Sequence, residues 1–440
     1  MVRQDKGKVE EEETKRGNGL IHELIGWTLA KGIKVIVGYN YGIIYDFRHQ
    51  RAFQVDKWTG HLLSLLAHQK IDTRLRSFLR SEKLQSEACN SFRVHLQKLR
   101  NIQVLVPIGQ DDAVKEEETE LTWDAFPQTP SRVEIELTTY CNFMCPHCYL
   151  GMDANTTQLP YALLTRLLKQ IHGMGVEHIQ FTGGEPFIRR DLVRILSAAY
   201  HPASEVELLT NGSLIKRSHL RMLKKYVSRI QITLYGMTPA TYQCFTRAPN
   251  TFAKVMKSIE MISMANIPLR LIFTLTSYNY HEVDEFVDYC QRNQLDFSIG
   301  GTLPVGCAEF NPDVATIPKK VQEKIEQRYS HKDERLVFKD RACRSDRIAI
   351  LADGRVTLCP LLRAQQFTAG SVYDDELLKI WRNGCRRISD GLSVDKLETC
   401  RGCELRYICA GGCPILRKFF SIGYPCGLYY NKIRFSCFDI

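Results

Sequence analysis

Val133-Glu134-Ile135-Glu136-Leu137-Thr138-Thr139-Tyr140-Cys141-Asn142-Phe143-Met144-Cys145-Pro146-His147-Cys148-Tyr149 joins a short apolar strand to three cysteines spaced Cys-x3-Cys-x2-Cys. A cubane of four irons has four corners, so three thiolates leave one iron without a protein ligand and open to a small molecule. Zinc is the competing reading, with His147 inside the loop as a fourth ligand. A zinc knuckle does not account for the glycine motif and strand pattern that follow.

From Arg132 onward strands alternate with helical runs. Strands are expected at Val133 to Leu137, His178 to Phe181, Glu205 to Leu209, Arg229 to Leu234, Leu269 to Thr274 and Asp296 to Ile299. Six such units predict an α/β fold, a partial (β/α)6 barrel over 131–301. In barrels of parallel strands the loops at the C-terminal strand ends converge on one mouth. The cysteine loop follows the first strand, Gly183-Gly184-Glu185-Pro186 the second and Thr210-Asn211-Gly212 the third, so all three motifs are expected there.

The cysteine spacing, closed by Tyr149, together with those two downstream motifs resembles the radical S-adenosylmethionine (SAM) superfamily. In that family the unique iron chelates the amino and carboxylate groups of SAM, and one electron splits it to a 5'-deoxyadenosyl radical that removes hydrogen from an unactivated carbon. The resemblance implies that Cys141, Cys145 and Cys148 hold a catalytic 4Fe-4S cluster. It implies SAM contacts from Tyr149, Gly183, Gly184, Glu185, Pro186, Thr210, Asn211 and Arg247. The glycines leave room for backbone to approach a ligand, and Glu185 with nearby carbonyls can accept from the SAM ammonium. Thr210 and Asn211 fall near the ribose in matching members, or serve as turn or cap residues. Arg247 stands where relatives pair an arginine with the SAM carboxylate; a surface salt bridge is the other reading. At the fourth strand many relatives end in Leu-Asp-Gly where this chain has Leu234-Tyr235-Gly236, so that aspartate's ribose contacts do not transfer. Tyr235 reads as packing or as a stacking surface.

A second array comprises Cys343, then Gly354 and Cys359, then Cys400-x2-Cys403-x5-Cys409-x3-Cys413, and Cys426. It resembles the SPASM extension, named for peptide and sulfatase maturation, which holds two auxiliary iron-sulfur clusters. The family's crossing pattern implies Cys400, Cys403, Cys409 and Cys426 on an outer cluster and Cys343, Cys359 and Cys413 on an inner one. Cys307, Cys385, Cys437, a substrate thiolate or an open iron site could complete the inner set. Structural zinc is the rival, since Cys-x2-Cys pairs are zinc-like. Cys89, Cys244 and Cys290 are expected to be buried side chains without a metal.

Upstream, residues 20–110 read as a winged-helix-like module. Strands are expected at Ile33 to Val37, Ile43 to Phe47 and Ala52 to Val55, helices at Thr59 to His68, Thr73 to Arg80 and Ala88 to Leu99, and a last strand at Gln103 to Val106. This order resembles the PqqD-like leader-recognition domains fused to enzymes that modify ribosomally made peptides, where a leader adds as an extra strand. Thirteen Lys/Arg against six Asp/Glu make the module basic, which also suits DNA. Residues 111–130 form an acidic linker, 302–342 a bridging region and 343–440 the cysteine-rich domain; 1–19 is expected to be flexible.

The chain of 440 residues carries net charge +10, 44% hydrophobic and 25% charged residues. It has no apolar run of membrane-spanning length and no signal-like N-terminus, so a cytoplasmic location is expected. Sixteen cysteines without an export signal favour metal thiolates over disulfides.

Together these features point to a radical SAM/SPASM maturase acting on a precursor peptide, sactipeptide-type in architecture, with an external one-electron reductant (flavodoxin or ferredoxin) and no membrane or nucleic-acid partner. The expected product is a thioether or carbon-carbon crosslink. Competing readings are maturation of a sulfatase, modification of a cofactor precursor, and a DNA-binding iron-sulfur redox sensor.

Overall fold

The computed structural model of the chain describes Leu24 and residues 27–38, 41–67, 95–108, 126–151, 156–329, 338–341, 346–415 and 438–439. In the N-terminal region, β1 (Trp27–Leu29), β2 (Ile33–Val37), β3 (Tyr41–Asp46) and β4 (Arg51–Asp56) lead into a helix over Lys57–Ala67, and β5 (Leu105–Pro107) returns to pair antiparallel with β1. β1 was not anticipated: its three residues carry little pattern, and its partner lies far along the chain. The expected helix at Thr73 to Arg80 lies outside the described residues; of that at Ala88 to Leu99, residues 95–101 are described and helical.

β2, β3 and β4 form an antiparallel meander with two apolar faces. Successive strand residues point to opposite faces, so Ile44, Phe53 and Val55 pack on Leu62, Leu63 and Leu66 of the helix. Ile36, Ile43, Tyr45 and Ala52 point the other way and meet Val394, Leu405 and Tyr407 of the C-terminal region. A free-standing module would expose that second face; here it is a buried junction. Double burial explains why Ile43-Ile44-Tyr45 is apolar without alternation.

Six parallel strands follow in sequence order: β6 (Arg132–Glu136), β7 (His178–Thr182), β8 (Glu205–Thr210), β9 (Arg229–Leu234), β10 (Leu269–Leu275) and β11 (Asp296–Gly301). Helices over Tyr161–Gly173, Leu192–Ala199, Leu220–Tyr226, Phe252–Met264 and Val283–Arg292 pack on one face. That face takes Val133, Ile135, Ile179, Phe181, Ile230 and Phe273, all fully buried. The register puts Glu134, Gln180 and Glu207 in one row on the opposite face. There Arg132 donates to Gln180 at 3.0 Å and Gln231 to Glu207 at 3.2 Å. A sheet apolar toward its helices and polar inside is the partial barrel expected.

Beyond the barrel, β12 (Arg347–Ile350) adds parallel to β6, then turns into β13 (Arg355–Thr357) and β14 (Gly370–Ser371). The C-terminal region therefore extends the barrel's own sheet to nine strands. Last, β15 (Phe438–Asp439) lies parallel beside β4, opposite Phe53 and Gln54.

Candidate active site

At the C-terminal ends of β6, β7 and β8, three loops are tied together by backbone. The Gly184 amide donates to the Thr138 carbonyl at 2.7 Å, and the Glu185 amide to the Tyr140 carbonyl at 2.8 Å. Gly183 holds φ +131°, a conformation open mainly to glycine, and a Cβ there would sit 2.3 Å from the Thr138 oxygen. A Cβ on Gly184 would sit 2.1 Å from the Tyr140 oxygen. The two glycines thus admit the close approach of the cysteine loop itself.

Glu185 joins the loops by its side chain. Its side chain is fully buried, and both oxygens are engaged: Oε1 accepts from the Phe187 amide (3.0 Å) and the Thr210 hydroxyl (2.7 Å), and Oε2 from the Asn211 amide (2.8 Å). Burial pushes this carboxyl up to about 6, against the pull of those three donors. Glu185 is a brace between the second and third loops. Pro186 starts the short 3-10 turn over Pro186–Ile188 that aims the Phe187 amide at it.

Asn211 passes the brace to the cysteines. Its Nδ2 donates to Asn142 Oδ1 at 2.9 Å and lies 3.9 Å from Cys141 Sγ, while its Oδ1 accepts from the amide and hydroxyl of Ser213. Asn142 in turn donates to the Ser213 hydroxyl at 2.9 Å. Sequence reading missed Asn142 and Ser213, although both flank quoted motifs. It also missed Arg189, whose nearly buried guanidinium donates to the Leu137 and Leu159 carbonyls and pairs with Asp191 at 2.7 Å.

Desolvation lifts the thiols of Cys141, Cys145 and Cys148; Cys148 further raises Cys141, both of these raise Cys145, and Cys307 raises Cys145 and Cys148. Three crowded thiols ionise together only beside strong positive charge, which is what iron coordination supplies, so the donor set fits a cluster. His147 fits the zinc reading poorly. Its ring is nested 5.2 Å from Tyr235 and 4.9 Å from Phe245, and burial lowers its pKa to about 4. Tyr235 belongs to that aromatic nest, with Phe245 stacked 5.1 Å away.

A cavity of about 1240 Å³ opens over the loop, walled by Met144, Cys145, Tyr149, Arg247, Arg363 and the segment from Pro304 to Asn311. Arg247 is exposed at the left-handed C-cap of the Pro239–Thr246 helix and forms no ion pair among the described residues. Arg363 is committed: it pairs with fully buried Glu136 at 2.6 Å and lies 5.9 Å over the Tyr149 ring. Cys307 is buried against the cysteine loop, its amide donating to the Cys148 carbonyl at 2.8 Å. It is thus placed at the first cluster's loop, and Cys385 lies in the hydrophobic core. Cys290 is buried as expected, but Cys244 is exposed.

In the C-terminal region Cys400, Cys403 and Cys409 pack against one buried cluster, where Cys400 and Cys409 raise the Cys403 pKa, and Cys413 likewise raises that of Cys359. Burial pushes Cys359 and Cys403 up to about 11. Cys343, Cys426, Cys437 and Cys89 lie outside the described residues.

Residues 135–290 match the radical SAM superfamily, and residues 343–404 match the SPASM iron-sulfur cluster-binding domain. Curated relatives include the GTP 3',8-cyclase of Rhizobium leguminosarum, 30% identical over 222 residues (48% of this chain, 63% of the relative). The probable GTP 3',8-cyclase of Methanocella arvoryzae is 26% identical over 209 residues (46% and 67%). In fold, the chain is similar to Streptococcus suis SuiB bound to S-adenosylmethionine, with TM-score 0.52 and 19% identity over 88% of this chain and 96% of that one. SuiB bound to its precursor peptide SuiA gives 0.53 and 18%, covering 89% and 96%. The chain therefore carries a radical SAM domain, which binds a 4Fe-4S cluster and SAM, and an iron-sulfur cluster-binding domain. No helix among the described residues is long and apolar enough to cross a membrane.

Proposed function

We propose that this radical SAM enzyme installs a thioether or carbon-carbon crosslink on a ribosomally made precursor peptide captured by its N-terminal module. The cavity above the cysteine loop carries the reading. At about 1240 Å³ it exceeds the usual range for a small-ligand pocket, roughly 300–1,000 Å³, and its wall is largely apolar. It has room for SAM and a stretch of peptide.

Cys141, Cys145 and Cys148 hold the cluster that, when bound, supplies the electron for SAM cleavage. Glu185 and Asn211 fix the loop's position, and Arg247 offers a free guanidinium to a carboxylate of SAM or substrate. The C-terminal cysteines hold auxiliary clusters that exchange electrons with the reaction, and a flavodoxin or ferredoxin delivers the first. Structural likeness to SuiB, which has been seen bound to a precursor peptide, supports a peptide substrate. The leader adds as a strand at an edge of the β2–β4 sheet.

The basic charge of that module is partly engaged within the protein. Lys34 donates to Tyr407, and Arg48 and Arg51 pair with Asp46, which leaves less for a phosphate backbone and weighs against the DNA-sensor reading. The cofactor-precursor reading draws on the cyclase relatives. A nucleoside triphosphate brings several negative charges, yet of the two arginines that line the cavity among the described residues Arg363 is already neutralised by Glu136.

The test is coexpression with a short cysteine-bearing peptide encoded beside the gene. Mass spectrometry should show loss of two hydrogens per crosslink, together with SAM-derived 5'-deoxyadenosine. Consumption of GTP by the reconstituted enzyme, with the peptide unmodified, overturns the proposal.

A further inference from the structure

A buried aromatic seam joins the N-terminal sheet to the loop that carries Cys403 and Cys409. Tyr45 of β3 is fully buried, its ring edge-on to Tyr407 at 5.3 Å and to Phe338 at 5.0 Å. Its hydroxyl donates to the Glu404 carbonyl. That carbonyl shares a peptide unit with the Leu405 amide, which acts to lower the pKa of the Cys403 thiol, and Cys400, Cys403 and Cys409 all pack against the same seam. A planar trans peptide points its C=O and N–H in opposite directions, so Tyr45 grips one end of the unit while the other end faces sulfur.

An amide donating to a cluster thiolate draws charge from the sulfur and raises the reduction potential. A hydrogen bond accepted at the same peptide's carbonyl polarises the N–H and strengthens that donation. Elsewhere in the seam, away from that peptide, Lys34 donates to the Tyr407 hydroxyl at 2.8 Å, and that hydroxyl donates to Asp395 at 2.8 Å. Val394 and Leu405 close the seam from the C-terminal side.

We propose that Tyr45 is a positioning residue for an iron-sulfur cluster held by Cys400, Cys403 and Cys409, pressing the Glu404–Leu405 peptide toward Cys403 and so setting that cluster's reduction potential from a neighbouring module. The inference rests on the assignment of those cysteines to a cluster, and not on the identity of the substrate.

The experiment is an anaerobic redox titration of reconstituted full-length holoprotein, followed by electron paramagnetic resonance without substrate. In Tyr45→Phe the potential of one auxiliary cluster falls, while the signal that responds to SAM stays as in the parent. Lys34→Met removes the brace on Tyr407 but leaves the Glu404 carbonyl bonded, so its potentials match the parent. Selective loss of one auxiliary cluster's iron in Tyr45→Phe also supports the proposal. An unchanged potential, an equal shift in Lys34→Met, or iron lost from all sites alike overturns it. Full iron retention by Cys403→Ala would instead sink the underlying cluster assignment, which separates the two failures.

Discussion

The cysteine loop at 141–148 and the cysteine loop at 400–409 are held in different ways. The first is laced by hydrogen bonds from its own domain: the Gly184 and Glu185 amides bind its backbone, and Asn211 binds Asn142 beside Cys141. The second is gripped by side chains of a separate module, with Tyr45 and Lys34 reaching across from the N-terminal sheet. A site built from its own domain's backbone is self-sufficient. A site finished by a distant module depends on docking, and docking is something a ligand can disturb.

The sharpest break of that comparison is catalytic. Cys145→Ala should reduce 5'-deoxyadenosine release to background while the C-terminal iron remains, and Cys403→Ala should remove C-terminal iron with SAM cleavage retained; chromatography and iron assay read both. Next in size is Arg363→Met, which strands the Glu136 carboxylate in a buried site with the Ala352 amide as its one remaining donor among the described residues. Breaking a buried pair on one side costs about 3–5 kcal/mol, seen as a lower melting temperature, and Glu136→Gln in the same chain should recover part of it. Glu185→Ala leaves the Phe187 amide, Asn211 amide and Thr210 hydroxyl unpaired, at about 3 kcal/mol in denaturant titration, and weakens SAM cleavage with it.

The smallest effect tests the N-terminal module. Burial acts to raise the Asp46 pKa, but hydrogen bonds from Arg51, Arg48 and His49 outweigh it and hold the carboxyl at about 2, below its usual 3.8. A depressed carboxyl contributes stability that is complete above pH 4 and is lost as pH falls toward 2. Asp46→Asn should therefore cost about 2 kcal/mol at neutral pH and show a shallower acid limb than the parent; superimposable limbs would refute it.

How much of this could be read beforehand follows the same division. The barrel strands were legible because apolar runs such as Ile230 and Ile232 repeat at period two with turn residues between, and the motif loops because they sit at equivalent strand ends. The role of Glu185 was not, since sequence shows a carboxylate but not that three donors have already claimed it. Pairing of β12 with β6, and of Arg363 with Glu136, joins residues more than two hundred positions apart, for which one sequence offers no signal. Cys307 was grouped by residue type with the auxiliary ligands, whereas the chain folds it back onto Cys148.

Because the β2–β4 sheet is clamped between its own helix and the C-terminal seam, it cannot act as a swinging arm. A peptide anchored on it would have to cross a fixed span to reach the cavity. Such an enzyme would measure its substrate like a ruler, choosing the position to be altered by counting residues from the anchor, and inserting or deleting residues in that spacer would move the mark along the peptide.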